Sequence, residues 1–309
     1  MATSGSYNFS LDRDGIITEA YSLAGAVAIG ETPTAAEITD AGKSLNLMLK
    51  NWASKNYGLW LIKEITAFPQ YEETSMLLGP TGGHASATTV KTEIKVAAIA
   101  TALTIDVDSI TGITNGDYIG IELDNGSLQW TTVNGVPSGY TIAITAALTG
   151  AAAVDNHVYT YTTKTQRPLS IMEARLIMAD DIEIPIEIIP RDTYMLLSNK
   201  STTGLINQIY YDPQLTNGKL YVWPASSDVK NRIKMTVKIQ IMDFDASADD
   251  GEFPVEWLEP VTYNLALRIC IKNGIPIDND LRSMALSSLQ EVINFDQEDG
   301  SIFFQPQGS

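Results

Sequence analysis

At 309 residues the chain has the length of roughly two domains of about 150 residues each. Lys and Arg number 20 against 37 Asp and Glu, a formal charge of −17, and so acidic a surface repels phosphates and anionic headgroups, which argues against a nucleic-acid grip or a membrane-bound role. Only 18% of residues are charged while 44% are hydrophobic, against roughly 25% charged in ordinary soluble chains, so the composition points to surface covered by partners, with a large monomer core as the alternative.

The first fifteen residues carry no basic-then-apolar export signal, and no stretch reaches about 18 uncharged apolar residues; a soluble protein is expected. Two helices are predicted next. Over 13–29, Ile16, Ala20, Leu23, Ala24 and Val27 recur at helical spacing, with Gly30 as the stop. Over 35–56, Thr34 and Glu37 make a capping box, and Ile38, Ala41, Leu45, Met48, Leu49 and Trp52 line one face. Gly42-Lys43-Ser44 in that helix is like the end of a phosphate-binding loop, but the motif needs glycine where Glu37 stands and a strand-to-helix turn rather than a helix interior.

From Trp60 to Leu78 the chain reads as extended, and Gly79-Pro80-Thr81-Gly82-Gly83 reads as a linker. Residues 84–165 shift to Thr, Ala, Gly and Asn. Here Ile119, Ile121 and Leu123 alternate with Gly120 and Glu122, Asp124-Asn125-Gly126 turns the chain, and Leu128 and Trp130 resume. Short strands at about ten-residue spacing suggest an inserted small barrel or sandwich. The only histidines, His84 and His157, sit at its edges without metal-ligand or nucleophile–base spacing.

Over 166–252 an antiparallel β region is expected. Asn217-Gly218 marks a hairpin between 208–211 and 219–223, and Ile233, Met235, Val237, Ile239 and Ile241 alternate with Lys234, Thr236, Lys238 and Gln240 as a strand with one wet face. The pairs Glu72-Glu73, Asp180-Asp181 and Asp249-Asp250 have the residue type of a glycosidic acid pair, yet 37 acids produce such pairs by chance. Asp243, Asp245, Asp249, Asp250 and Glu252 lack calcium-loop spacing and read as a solvated loop. Helices return over 256–273, on Trp257, Val261, Leu265, Arg268 and Ile269, and over 280–295, where Asp278 and Asp280 precede Leu281, Ala285, Leu289, Val292 and Ile293. The lone cysteine, Cys270, excludes an intrachain disulfide and suits a reducing cytoplasm.

The expected fold class is therefore α+β: a discontinuous helical bundle from both termini, an antiparallel β region in the middle and an inserted all-β domain. Its parts are 1–78 (helices and extended segments), 84–165 (insertion), 166–252 (β region), 253–295 (closing helices) and 296–309 (tail). Leu45, Met48, Trp52, Trp257, Val261 and Leu265 are the expected bundle core. The tail carries Ile302, Phe303 and Phe304, three large apolar residues with no core of their own; they read as a docking peptide, with a frayed end as the alternative. No catalytic, cofactor or metal residues are assigned, and no enzyme is expected.

Between Arg167 and Gly274 a series of features runs in order: Arg167-Pro168-Leu169, Ile184-Pro185-Ile186, Arg191-Asp192-Thr193-Tyr194, Tyr210-Tyr211-Asp212, Leu220-Tyr221-Val222-Trp223-Pro224, then Phe253-Pro254 with Trp257 and Asn264-Leu265-Ala266. In this order, between two opening and two closing helices, they resemble the head-to-tail adaptor proteins of short-tailed bacteriophages, over about two-thirds of the chain; compact adaptors lack the insertion. The resemblance implies a virion neck component assembled in the host cytoplasm. Its partners would be copies of itself in a dodecameric ring, a portal protein docked by the tail, a tail nozzle and tail fibres. DNA would pass through without specific binding. Some relatives are credited with cell-wall hydrolysis, but no residue here carries that over. The alternatives are another tail component whose β domain binds a host surface glycan or decorates the virion, and a muramidase.

Overall fold

The computed structural model describes residues 5–6, 8–28, 30–55 and 57–296. The first helix, α1 (Arg13–Leu23), starts at Asp12, whose carboxylate accepts a hydrogen bond from Gly15 N at 2.7 Å. It ends well before the predicted Gly30, because Gly25 takes the left-handed conformation (φ +65) and lets Gly25 N and Ala26 N donate to Ser22 O and Tyr21 O. In α2 (Ala35–Ser54) the capping box forms: Glu37 N donates to Thr34 Oγ1, and the Glu37 carboxylate accepts from Thr34 N at 2.7 Å.

Strands follow in chain order: β1 (Ile62–Ala67), β2 (Ser75–Leu78), β3 (Ala85–Ser86), β4 (Val90–Val96), β5 (Thr104–Val107), β6 (Tyr118–Glu122), β7 (Leu128–Thr132), β8 (Thr141–Ala143), β9 (His157–Tyr161), β10 (Ser170–Ile177), β11 (Glu183–Pro185) and β12 (Glu187–Ile188). A short helix, α3 (Arg191–Leu196), precedes β13 (Thr203–Gly204), β14 (Gln208–Asp212), β15 (Gly218–Trp223), β16 (Ala225–Ser226) and β17 (Arg232–Lys238). The chain closes on α4 (Leu258–Asn273), ended by left-handed Gly274, and α5 (Asn279–Phe295), capped by Asp278. The fold is thus α+β with largely antiparallel sheets.

Two compact units emerge, residues 1–61 with 240–309, and residues 62–239. In the first, α1 packs on α2 and α4, α2 on α4, and α4 on α5. The core is made by the helical stripes: Ile16, Leu45, Met48, Val261, Leu265 and Ala285 are buried. Trp52 and Trp60 both pack against Trp257, with ring centroids at 5.8 and 4.7 Å.

In the second unit β17 is the spine. It pairs antiparallel with β1 (Ile65 opposite Met235) and with β10, in a five-stranded sheet ordered β11-β10-β17-β1-β3. Ile233, Met235 and Val237 are buried as the alternation requires, but Lys238, expected on the wet face, is buried too. Residues 62–78 belong to this unit because β1 and β2 pair with β17 and β15. A four-stranded sheet, β12-β14-β15-β2, carries the hairpin. The hairpin joins the predicted strands, and its connection is the five-residue stretch Pro213–Asn217 between Asp212 and Gly218. Asn217 closes the glycine-rich stretch that reads as a linker: its side chain donates to Thr81 Oγ1, while Gly82 N and Gly83 N donate to Gly79 O and Leu77 O. That stretch is a bonded turn.

Strands β4 to β9 form a third, six-stranded sheet ordered β7-β6-β9-β4-β5-β8. It curls until its edges meet, where Val133 bridges Ile144 and Thr145 N donates to Thr132 O at 2.9 Å. Ile94, Ile105, Val107, Ile119, Ile121 and Val158 fill the interior. A second apolar cluster joins this barrel to the rest of the unit: Phe68 and Val229 pack with Leu128, Tyr159 and Tyr161. Residues 84–165 are therefore built into the 62–239 unit.

Candidate functional site

The Gly42-Lys43-Ser44 run lies inside α2, with Gly42 buried against Ile17 and Lys43 exposed, so it forms no phosphate cradle. Asp249 closes its own loop, its carboxylate accepting from Asp245 N (2.7 Å) and Ala246 N (2.6 Å). Asn46 holds Phe244 by both backbone groups, and Lys50 pairs with Asp243 at 3.0 Å, so the acidic loop is pinned along α2. Glu73 accepts from Gln70 N, and burial raises its pKa. Asp181 is held low, first by the hydrogen bond from Lys91 and also by Arg232, both of which it pairs with. Among the described residues no His, Cys, Asp or Glu cluster has a metal-binding arrangement, and no helix is long and apolar enough to cross a membrane.

Both histidines lie in the seam between the barrel and the neighbouring sheets. Gly120 sits opposite Trp130 on β7, and a Cβ there would come within 2.8 Å of the indole. Glycine thus lets the ring lie flat, and its other face stacks on His84 at 3.9 Å with the planes 3° apart. His84 Nδ1 lies 2.6 Å from Tyr161 Oη. Burial, aided by Lys164, lowers the His84 pKa to about 4, so the ring is neutral at pH 7; burial raises that of Tyr161. Gln70 completes this side by mimicking a strand: Leu128 N donates to its Oε1 and its Nε2 donates to Leu128 O.

On the other side of the seam Glu122, buried, accepts from His157 N at 2.9 Å and pairs with Lys230 at 3.2 Å. Glu93 lies 3.5 Å from His157 Nε2, and Tyr159 Oη 3.1 Å from its Nδ1. Burial is the largest influence on His157 and, with Lys91, outweighs the pull of Glu122 and Glu93, so its pKa is lowered. Sequence spacing could not show this cluster. Its members come from β4, β6, β9 and the turn before β17, and only sheet pairing assembles them.

The helical unit holds a different feature. A groove of about 490 Å³ runs between α1 and α4, lined by Phe9, Leu11, Leu23, Val255, Leu258 and Tyr263 with Glu19, Glu259 and Thr262. A second, of about 330 Å³, lies between α4 and α5, lined by Pro260, Val292 and Phe295 with Glu256, Glu291 and Ser288. They meet at Glu259, which lines both. Phe9 and Phe295 are 69% and 77% exposed there. The predicted core residues Leu45, Met48, Trp52, Trp257, Val261 and Leu265 are all buried away from solvent. Ile302, Phe303 and Phe304 lie outside the described residues.

No family model and no curated protein matches the chain. Among solved structures it is similar, at 13% identity and a TM-score of 0.23, to the Gp54 tailspike of Acinetobacter baumannii bacteriophage AP22, determined in complex with A. baumannii capsular saccharide. The likeness covers 26% of this chain and 16% of that one.

Proposed function

We propose that the chain is a structural virion subunit: a head-to-tail adaptor that forms a ring, dodecameric by its family resemblance, between a portal and a tail nozzle. In this reading the helices from both termini are a discontinuous bundle that builds the ring wall, and residues 84–165 are an insertion that compact adaptors lack. The observation that carries it is the pair of adjoining grooves beside α4. A helical unit whose core is complete, yet which leaves Phe9, Val255 and Phe295 on open apolar grooves, has surface to be covered by a neighbour. The excess of acid supports the same reading, since a channel of this charge lets DNA slide without sticking. The ionisable groups serve as caps, clamps and ion pairs, and no catalysis is assigned to them.

The tail led by Ile302, Phe303 and Phe304 is the portal contact. Burying two phenylalanines contributes about 3–6 kcal/mol per subunit, much of it offset by ordering the tail, and repetition around a ring restores strength through high effective concentration. The test mixes purified chain with portal rings and measures particle size. Full-length chain should join the portal. Chain cut after Asp296, which keeps the Asp296 carboxylate that accepts from Leu59 N, should stay folded and fail to join. Equal binding by both sinks the tail assignment, and no binding by either sinks the adaptor.

A further inference from the structure

Helix α5 carries two stripes. The first, Leu281, Ala285 and Val292 with Ser288, is buried where the helix packs on α4. The second, Leu286, Leu289 and Ile293, repeats at helical spacing on another flank, one turn after Arg282; there Leu289 and Ile293 are only half-buried and Leu286 is 61% exposed. Arg282 is exposed and makes no ion pair among the described residues. The groove between α4 and α5 opens on the far flank: Leu286 and Phe295, which lines that groove, stand nine residues apart, about two and a half turns, and so point to opposite sides of the helix. The groove has Pro260, Val292 and Phe295 on its floor and Glu256, Glu259 and Glu291 along its rim, exposed carboxylates that make no ion pair or side-chain hydrogen bond among the described residues.

We infer that the groove of one copy takes the 282–293 flank of α5 from the next. An apolar trough edged by unpaired carboxylates fits a helix whose apolar ridge carries a cation. This chain presents such a ridge: Leu286, Leu289 and Ile293 give anchors at i, i+3 and i+7, and Arg282 supplies the charge that the rim lacks. Lys43 and Leu47 on α2 are another exposed cation and leucine of the unit, Leu47 at 68%, but the polar Asn51 and Ser54 follow them on that face, so no ridge forms. Groove and ridge lie on opposite flanks of one helix, so each copy can receive one neighbour and enter another. Such a head-to-tail contact closes into a ring when the rotation allows. The inference rests on the ring proposed above and names the contact between its subunits.

Sedimentation velocity on the full chain alone, over about 1–100 μM, tests it. Wild-type chain should form species larger than a monomer. Leu286→Asp should weaken that association at least about tenfold, because it sets a carboxylate against the glutamates of the rim. Should that variant fail to fold, Leu286→Ser removes the anchor without adding charge and should weaken association several-fold. Arg282→Glu and Glu259→Arg should each weaken it several-fold, and the two combined in one chain should recover most of the loss. Leu47→Ser should leave association unchanged, and so should a cut after Asp296. A monomer at every concentration, association unmoved by the α5 variants that fold, no recovery in the charge swap, or Leu47→Ser as damaging as Leu286→Ser would each overturn the proposal. Association lost on truncation would do the same by giving the groove to the tail. Portal joining is read apart from this. A chain that joins portal rings while Leu286→Asp associates like wild type keeps the adaptor and loses this contact; association lost in Leu286→Asp, with no joining by any chain, keeps the contact and loses the adaptor.

Discussion

The helical unit and the barrel seam both centre on tryptophan, but they bury different company. Around Trp257 lie Trp52, Trp60, Leu49, Val261 and Phe253, and the space left among them is only about 10 Å³, about the least a single water needs. Around Trp130 lie His84, Tyr118 and Tyr161, and the same seam holds Glu122 and His157 of the barrel with Lys230 from the turn before β17. The first region is held by apolar packing, which is indifferent to pH. The second includes His84 and His157, whose pKa burial lowers, so acid should act on the seam before the helical unit.

The largest effect should follow from Trp257→Ala. The side chain is 3% exposed and touches two other indoles, so its loss should cost about 3–5 kcal/mol, read as a lower denaturant midpoint at constant slope. An unchanged midpoint would remove the packed core from the comparison.

Glu122→Leu in the seam should cost about 1–3 kcal/mol, because it leaves His157 N and Lys230 without their acceptor. Glu122→Gln, which keeps an acceptor for His157 N, should cost less. If the two are equal, the seam depends on shape and not on the hydrogen bond.

The pH dependence has a definite sign. His84 has its folded pKa depressed to about 4 from an ordinary 6.5, so the unfolded chain binds the proton first. Stability is full above about pH 6.5 and falls as pH drops toward 4. His157, also lowered, adds in the same direction; Glu73, raised by burial, opposes it only within the carboxylate range. His84→Phe keeps a ring against Trp130 and should remove about 1–2 kcal/mol of that loss, allowing for solvent screening of a half-buried ring. Stability profiles of wild type and variant that run parallel between pH 6.5 and 4 would show that His84 does not titrate as placed.

Thr34→Ala should give the smallest effect, about 1 kcal/mol, because it removes a cap at an exposed helix start without touching either core. A loss as large as that of Trp257→Ala would mean that α2 depends on its first turn more than on its buried stripe.

The helices were legible because each carries its own signal. A period of 3.6 in apolar residues marks the buried stripe, and Thr34, Asp278 and Gly274 act within a turn of their own backbone. Strand β17 was legible for the same local reason, though Lys238 shows that alternation names two faces without saying that one of them is wet. Gly25 and Gly30 both take positive φ, and α1 ends at the first of them.

By itself, then, the sequence determined the four long helices apart from the end of α1, the turn at Asp124-Asn125-Gly126 and the acidic balance, which depend on residue type and near spacing, while the short α3 carried no such signal. Only the tertiary structure decided that Asn217 closes the Gly79–Gly83 turn, that His84 lies on Trp130, that Glu122 meets His157 and Lys230, and that 96–105 lies beside 144–152. These pairings join residues tens to more than a hundred positions apart. Their strength comes from burial and low local dielectric, conditions that exist only once the sheets have closed.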